Sequence, residues 1–320
     1  MPINANKPDL WKADTRASVD QFNQWFMQFA PQAFRETRKK TIESVEQGLA
    51  LTKDLTTITP DVIKANPGIL PSLRMSTCPP MARDRLIGLA DSTKNFVGCL
   101  EEGKLPRLLS PELLEEHLGK ITRILSRMLD VDIFPWIEEK RKPTKEERYR
   151  SSTIVADRLC GAVAEPIVRN AQEKRQLALI EKYLTKRGYK LKPHPAAVVL
   201  NEMEPGTFCF RMNVLVKPPN AEGKMVKIPI DAVIQPRTAQ LPHLPIMIEA
   251  KSAGDFTNVN KRRKEEAIKI TYLKATYGED VKFVLFPCGY FDAAYLGYEA
   301  AEGIDWIWEH RIQDLDQLGL

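Results

Sequence analysis

Apolar residues recur every three or four positions through much of the first half of the chain, which is the spacing of an amphipathic helix. Phe22, Phe26 and Phe29 follow this spacing and predict a helix over residues 18–45. Residues 110–130 predict another, because a serine that can cap the helix precedes a proline at the first helical position and a stripe of leucine and isoleucine. The N-terminal half is therefore predicted to be mainly helical.

Alternation of apolar and polar residues replaces the helical spacing after residue 200. The stretch TFCFRMNVLV at 207–216 is the clearest case, because a β-strand points successive side chains to opposite faces of its sheet. One face of this strand is expected to carry Phe208, Phe210, Met212, Val214 and Val216. Three further strands are predicted at KIPIDAVI (227–234), LPIMIEAK (244–251) and VKFVLFP (281–287).

Predicted helices flank these strands. A helix at 153–165 and a separate helix that begins at Pro166 and stops at Gly188 precede the first strand. A helix over 258–277 separates the last two strands, and residues 303–320 are expected to close the chain as a helix. This order predicts an α/β fold with a mixed β-sheet, whose last crossover joins parallel strands.

A basic stretch that contains a proline, EKRKPTKEERYRSS at 139–152, is the best linker candidate in the chain. The helical pattern lies before it, and the strands lie after it. We therefore predict two domains, a mainly helical region over 1–145 and an α/β domain over 146–320.

Composition excludes several classes of protein. The chain lacks a run of about 18 apolar residues, so we expect no membrane association. No basic region followed by an apolar one opens the sequence, which favours a cytoplasmic location. The five cysteines are widely spaced without a CxxC pair, which predicts reduced thiols. Because no GxxxxGK[ST] loop occurs, we expect no nucleoside triphosphate as a cofactor.

Candidate chemistry lies at the end of the third predicted strand. Glu249 and Lys251 are two positions apart and therefore share a face of that strand. Asp231 lies inside the second predicted strand among apolar neighbours, where a charge is costly without a partner. If the two strands are adjacent, these side chains converge. Two carboxylates suit Mg²⁺, and a lysine beside them can orient or deprotonate a water that attacks a phosphodiester.

A buried salt bridge that ties two strands together is the alternative interpretation of Asp231, Glu249 and Lys251. Charges are seldom buried without a purpose, and the three residues precede a basic helix that can neutralise phosphate. These observations favour an active site.

The spacing of these residues resembles the PD-(D/E)xK nuclease pattern. Asp231 is followed after seventeen residues by Glu249-Ala250-Lys251, although the proline of the pattern is displaced to Pro229. Three longer stretches resemble the XamI-type family of type II restriction endonucleases, and these are LWKADTRASVDQFNQWFMQFAPQAFRETRKK, EPIVRNAQEKRQLALIEKYLTKRGY and IEAKSAGDFTNVNKRRKEEAIK.

The resemblance implies a restriction-endonuclease-like core, Mg²⁺ as the cofactor and double-stranded DNA as the substrate. It also implies a homodimer that cuts both strands of a short palindrome, with GTCGAC as the expected sequence, and leaves 5′-phosphate and 3′-hydroxyl ends. A DNA methyltransferase that protects host DNA would be the functional partner. Residues 146–320 would be the catalytic domain, and residues 1–145 would serve DNA recognition, dimerisation or both.

Further site residues follow from the same resemblance. The expected metal contacts are Asp231, Glu249 and Ala250, and a helix glutamate that assists the metal would be either Glu165 or Glu173. The sequence does not choose between the two, and Glu165 can equally well complement the dipole of a following helix.

The DNA contacts are expected on two helices. Near the start of the helix predicted over 258–277, Glu265 and Glu266 are expected on the solvated side opposite the basic residues. The candidate contacts are Asn258, Lys261, Arg262 and Arg263 on that helix, and Arg169, Asn170 and Gln172 on the helix before the first strand. Asn258 can instead cap its helix. Arg169, Asn170 and Gln172 can instead form a solvated face of theirs.

Two other functions fit parts of the sequence. A structure-specific repair or junction-resolving nuclease would use the same acids and lysine with less base readout. A catalytically silent DNA-binding protein would need no Mg²⁺, although it would have little reason to retain both acids and the lysine.

Overall fold

The computed structural model describes residues 2–193, 200–218, 224–256 and 259–320, without the side chains of residues 163–165 and 259–263. The chain forms two compact units, one of Met1–Phe29 with Val168–Leu320 and the other of Ala30–Ile167. Two long helices, α1 (Pro8–Leu51) and α7 (Lys145–Lys186), contribute residues to both units. The boundary predicted after residue 145 thus coincides with the start of α7, whereas the compact units divide inside α1 and α7.

The unit of Ala30–Ile167 is all helical and packs around a buried core that includes Leu70, Phe96, Ile121 and Trp136. Its proline-rich stretch forms short helices instead of one long element, since Pro67 and Pro71 lie at helix starts and Pro79 and Pro80 lie between α3 and α4. Besides parts of α1 and α7, its helices are α2 (Pro60–Ala65), α3 (Leu70–Met75), α4 (Arg83–Leu89), α5 (Lys94–Glu101) and α6 (Pro111–Arg127). Ser110 caps α6 as predicted, because its side chain accepts a hydrogen bond from Leu113 N.

The predicted helix break at Pro166 is wrong, because α7 runs through this proline without interruption. A proline inside a helix removes one hydrogen bond and clashes with the preceding turn. Both halves of α7 are held by buried residues, with Val155 and Cys160 on one side of the proline and Ile180 and Leu184 on the other. The packing of both halves therefore outweighs the local preference of proline.

The other unit contains a mixed sheet, as predicted, and it has six strands in sequence order where the sequence predicted four. The strands are β1 (Lys190–Leu191), β2 (Thr207–Val216), β3 (Val226–Ile234), β4 (Ile246–Ala253), β5 (Lys282–Gly289) and β6 (Asp305–Trp306). β2, β3 and β4 pair antiparallel, whereas β1–β2, β4–β5 and β5–β6 pair parallel. The crossover from β4 to β5 passes through α8 (Val259–Tyr277), as the sequence predicts.

Helices cover both faces of this sheet. Ile180 and Leu184 of α7 pack with Ile246 and Ile248 on one face. Ile270 and Leu273 of α8 and Leu296 of α9 (Ala293–Ala301) pack with Val233 and Met247 on the other. The closing helix predicted over 303–320 is wrong, since this segment forms β6 and then 3-10 turns over Glu309–Leu318. Trp306 and Trp308 are both fully buried there, which suits an extended segment more than a one-sided helix.

The side chains of β2 and β3 change face at one position, which corrects the prediction that the apolar residues of β2 share a face. Phe208 and Phe210 pack on the α7 side, whereas Met212, Val214 and Val216 pack on the α8 side. The switch occurs at Arg211, whose φ of 52° lies in the left-handed region. On β3 the same switch occurs between Ile230 and Ala232. The hairpin is therefore bent at the strand position of Arg211 and Asp231.

The N-terminal segment is attached to β6. The Asp305 carboxylate accepts hydrogen bonds from the main-chain nitrogens of Ile3, Asn4 and Ala5. Asn4 Nδ2 in turn donates to Trp306 O at 2.8 Å. Residues from both ends of the chain therefore complete one core.

Two expectations from composition concern the whole chain. All five cysteines are unpaired thiols, and Cys160, Cys209 and Cys288 are buried. Among the described residues, no helix combines the length and apolar character that crossing a bilayer requires.

Gly289 occupies a position at the end of β5 that only glycine fits. Its φ is 104°, and a Cβ atom there would lie 2.1 Å from Ala253 O. Its main-chain nitrogen also donates to Ser18 Oγ of α1 at 2.8 Å. The strand end and α1 thus meet where no side chain can be inserted.

We expect Gly289→Ala to destabilise the protein by at least about 2 kcal/mol, because it adds a clash with main chain to an unfavourable φ. Urea unfolding would measure the change. Gly297→Ala is the control, since a Cβ atom there meets only Trp11 at 3.8 Å in a helix, where alanine is favoured. Equal stability of the two variants would contradict this account.

Candidate active site

Asp231, Glu249 and Lys251 lie together where β3 and β4 separate. The ladder between these strands ends at Ala232 and Ile248. Beyond that pair, Asp231 Oδ2 accepts a hydrogen bond from Ala250 N at 2.9 Å. The carboxylate of Asp231 thus acts as the hydrogen-bond acceptor at the point where the main chains part.

Glu249 and Lys251 point to the face of β4 covered by α8, while Ile248 and Ala250 point to the α7 side. This is the division that the strand period predicts. Lys251 Nζ lies 3.5 Å from Glu249 Oε1, and both side chains are largely buried.

Helix α8 adds two charged residues that the sequence analysis did not assign to the site. Glu266 is fully buried and pairs with Lys251 Nζ. Lys269 Nζ donates to Glu249 Oε1 at 2.7 Å and to Pro229 O at 3.0 Å. Glu266, Lys251, Glu249 and Lys269 therefore form a row of alternating charges, which we term the charge row.

The prediction that Glu266 faces solvent is wrong. Glu266, Lys269, Ile270 and Leu273 follow one another at spacings of three, one and three residues, so they share the inner face of α8. Glu265, one position away, is exposed as predicted. The helical spacing of Glu266 and Lys269 to the apolar residues Ile270 and Leu273 was the signal that could have placed them correctly.

The electrostatics of the site reflect burial and close charges. Burial raises the pKa of Asp231 to about 6, with a further contribution from the Glu249 carboxylate, although the hydrogen bond from Ala250 N opposes the rise. For Lys251, burial disfavours the charge, but the Glu266 and Glu249 carboxylates outweigh it and raise the pKa. Lys251 is therefore a charged hydrogen-bond donor in this environment.

Of the two helix glutamates, Glu173 lies near the acids. Its negative charge contributes to the raised pKa of Asp231. Glu173 Oε1 also accepts hydrogen bonds from Arg211, at 2.8 Å from Nη2 and 3.1 Å from Nε. The side chain of Glu165 lies outside the described residues.

The expected DNA contacts divide into three groups. Arg169 and Asn170 are exposed on α7 and stay candidates. Gln172 does not fit a DNA contact, because it is 1% exposed and accepts a hydrogen bond from Arg175 Nε at 3.1 Å. Asn258 lies outside the described residues, as do the side chains of Lys261, Arg262 and Arg263, whose main chain lies in the first turns of α8.

The acids suit a hard divalent cation. Glu249 Oε2 is buried and has no hydrogen-bond partner among the described residues, so this oxygen is available to a cation. Alanine offers only its main-chain carbonyl, so Ala250 can contribute one more oxygen. No group of three or more histidine, cysteine or acidic side chains arranged for a metal occurs in the described part of the chain. Mg²⁺ does not require one, because it binds through one or two carboxylates, waters and substrate phosphate.

Comparison with known proteins matches the chain to restriction enzymes. The model of the family described as XamI restriction endonuclease matches residues 53–308. The chain is 54% identical over 317 residues to the type II restriction enzyme SalI of Streptomyces albus G, and the match covers 99% of each chain. It is 24% identical over 217 residues to the type II restriction enzyme XamI of Xanthomonas campestris pv. amaranthicola, covering 66% of this chain and 68% of that one. No solved structure matches it significantly.

We expect Glu266→Ala to destabilise the protein by about 3–5 kcal/mol, because it leaves the buried Lys251 ammonium without its main partner. Urea unfolding would measure the loss. Glu265→Ala on the same helix is the matched control and should change stability by less than about 0.5 kcal/mol.

The double variant Glu266→Ala with Lys251→Ala tests the pairing directly. It should lose less stability than the sum of the two single variants, since neither charge is then left alone. Additive losses would contradict a direct interaction between the two side chains.

Proposed function

We propose a function from the premise that this chain belongs to the XamI family of restriction endonucleases. It is a type II restriction endonuclease, which hydrolyses phosphodiester bonds in double-stranded DNA at a specific short sequence. The observation that carries this conclusion is the likeness to a type II restriction enzyme over 99% of both chains. The pair of acids beside a lysine at the parting of β3 and β4 supplies chemistry that suits this reaction.

The recognition sequence that we propose is GTCGAC. The support is the resemblance of the chain to enzymes of this family that read that palindrome. Cutting both strands of a palindrome requires two active sites related by symmetry, so a homodimer is the assembly that fits the substrate. A DNA methyltransferase that modifies the same sequence is the functional partner.

Mg²⁺ is the cofactor that fits the site. Asp231 and Glu249 would hold it through their carboxylates, and Ala250 through its main-chain carbonyl. When bound, Mg²⁺ offsets the negative charge of the phosphodiester and makes a water more reactive. Lys251 carries a positive charge and donates hydrogen bonds, so it orients the attacking water or a phosphate oxygen. The charge row holds this lysine in place through Glu266.

The DNA backbone would be bound by positive charge near the site. Lys261, Arg262 and Arg263 belong to the start of α8, and Asn258 precedes this helix in sequence. Main-chain nitrogens at a helix start and basic residues both favour phosphate. Arg169 and Asn170 of α7 offer further donors. The all-helical unit is left to base recognition, dimerisation or both.

We expect the purified protein to cut plasmid DNA into discrete fragments with Mg²⁺ and to leave it intact with EDTA. Sequencing of the fragment ends should give GTCGAC at every cut, with 5′-phosphate ends. Ends that share another palindrome would refute only the proposed recognition sequence. Cleavage at branched or damaged DNA without a common sequence would indicate a repair nuclease, and intact DNA under both conditions would indicate a protein that only binds.

Single substitutions in the site should separate cleavage from binding. We expect Asp231→Asn, Glu249→Gln and Lys251→Met each to lower the single-turnover cleavage rate by at least about 100-fold, because each removes a charge that acts on the reacting phosphate or its metal. For Lys251→Met, DNA affinity should fall far less than the cleavage rate does. Fluorescence anisotropy with Ca²⁺ in place of Mg²⁺ would measure this affinity. Glu265→Ala is the control and should cut at the normal rate. Normal turnover of either acid variant would show that the active site lies elsewhere.

A further inference from the structure

Arg211 has an unusual main-chain conformation for its residue type. Among the described residues it is the only non-glycine residue inside a strand with a positive φ, at 52°. Glycine and asparagine adopt this conformation readily, but arginine seldom does. The bend of the hairpin accounts for the positive φ, yet it does not account for an arginine at this position.

The position of Arg211 is set by the strand register. The pairs Phe210–Ala232 and Met212–Ile230 flank it, so Arg211 lies across the ladder from Asp231. Its side chain is more than half exposed and reaches Glu173 of α7. The guanidinium is therefore anchored at Glu173, whose charge acts on Asp231, and is open to solvent.

The ion pair with Glu173 does not explain the strained arginine. Exposed ion pairs contribute little to stability, because water and salt screen them. A residue that keeps an unfavourable φ beside an active site is typical of a functional constraint. The pair with Glu173 has a clearer role in orientation, since two guanidinium nitrogens bind one carboxylate oxygen at 2.8 and 3.1 Å.

We propose that Arg211 binds the phosphate that is cut. Nε and Nη2 each give one hydrogen to Glu173, and three of the five guanidinium hydrogens remain for an anionic oxygen. The ligand is thus a non-bridging oxygen of a DNA phosphodiester, and Arg211 stabilises the charge that develops on it. Glu173 is a positioning residue that acts through Arg211. This inference rests on the proposed function, since it assumes that the site cuts DNA.

The test uses Arg211→Asn, because asparagine tolerates the positive φ and lacks the guanidinium. We expect the single-turnover rate of DNA cleavage to fall by about 100-fold or more, as for the loss of one donor to a developing negative charge. The melting temperature should be equal to or higher than that of the wild type. Arg211→Lys should recover part of the rate. Arg187→Asn is the matched control, because Arg187 is also ion-paired, to Asp316, outside the active site, and its loss should leave cleavage unchanged.

Glu173→Gln tests how Glu173 acts. If it positions Arg211, its loss should lower the rate modestly and should add little to the effect of Arg211→Asn in the double variant. Calorimetric binding of Mg²⁺ should be unaffected by Glu173→Gln. A multiplicative loss of rate together with weaker Mg²⁺ binding would overturn the positioning role and make Glu173 an acid that assists the metal.

Two results would overturn the proposal for Arg211 itself. One is wild-type cleavage by Arg211→Asn, which would make the guanidinium a surface ion pair. The other is a lowered melting temperature with a loss of activity that Arg211→Lys does not recover, which would make the residue structural. Failure of the wild type to cut DNA would instead refute the proposed function, and the inference with it.

Discussion

The geometry of the candidate active site depends on the charge row between β4 and α8. Two lysines and two glutamates alternate there in a largely buried layer, so each charge is compensated by its neighbours. An isolated charge at that depth would be costly, whereas the row fixes the rotation of α8 against the sheet. Helix α8 is thereby held against β4 through Glu266 and Lys269.

A bend in the β2–β3 hairpin provides the second half of the site. Side chains switch faces at Arg211 and Asp231, so the ladder to β4 stops just before Glu249. Asp231 then turns its carboxylate to the free nitrogen of Ala250 and comes within electrostatic range of Glu249. A regular hairpin would continue the ladder and leave no opening for a phosphate. The irregular position therefore opens the middle of the sheet at the candidate site.

The sequence predicted the mixed sheet, the strands that carry the acids, and the shared face of Glu249 and Lys251, because a strand period of two leaves few alternatives. Local patterns could not reveal where that period breaks, so the face change at Arg211 was missed. Glu266 was misplaced because it lies in a run of charges, and only its spacing to Ile270 and Leu273 distinguishes it from Glu265. Pro166 and Gln172 were misread because tertiary packing decides both the continuity of α7 and the burial of its side chains.

The attachment of residues 3–5 to Asp305 has a consequence for the order in which the protein can fold on the ribosome. The all-helical unit is one continuous segment, Ala30–Ile167, so all its parts have been synthesised once residue 167 is added. The other unit is discontinuous, and its residues Asn4 and Ala5 wait for Asp305, which lies about 300 residues later. A nascent chain therefore carries all of the helical unit well before it carries the residues that complete the unit with the candidate site.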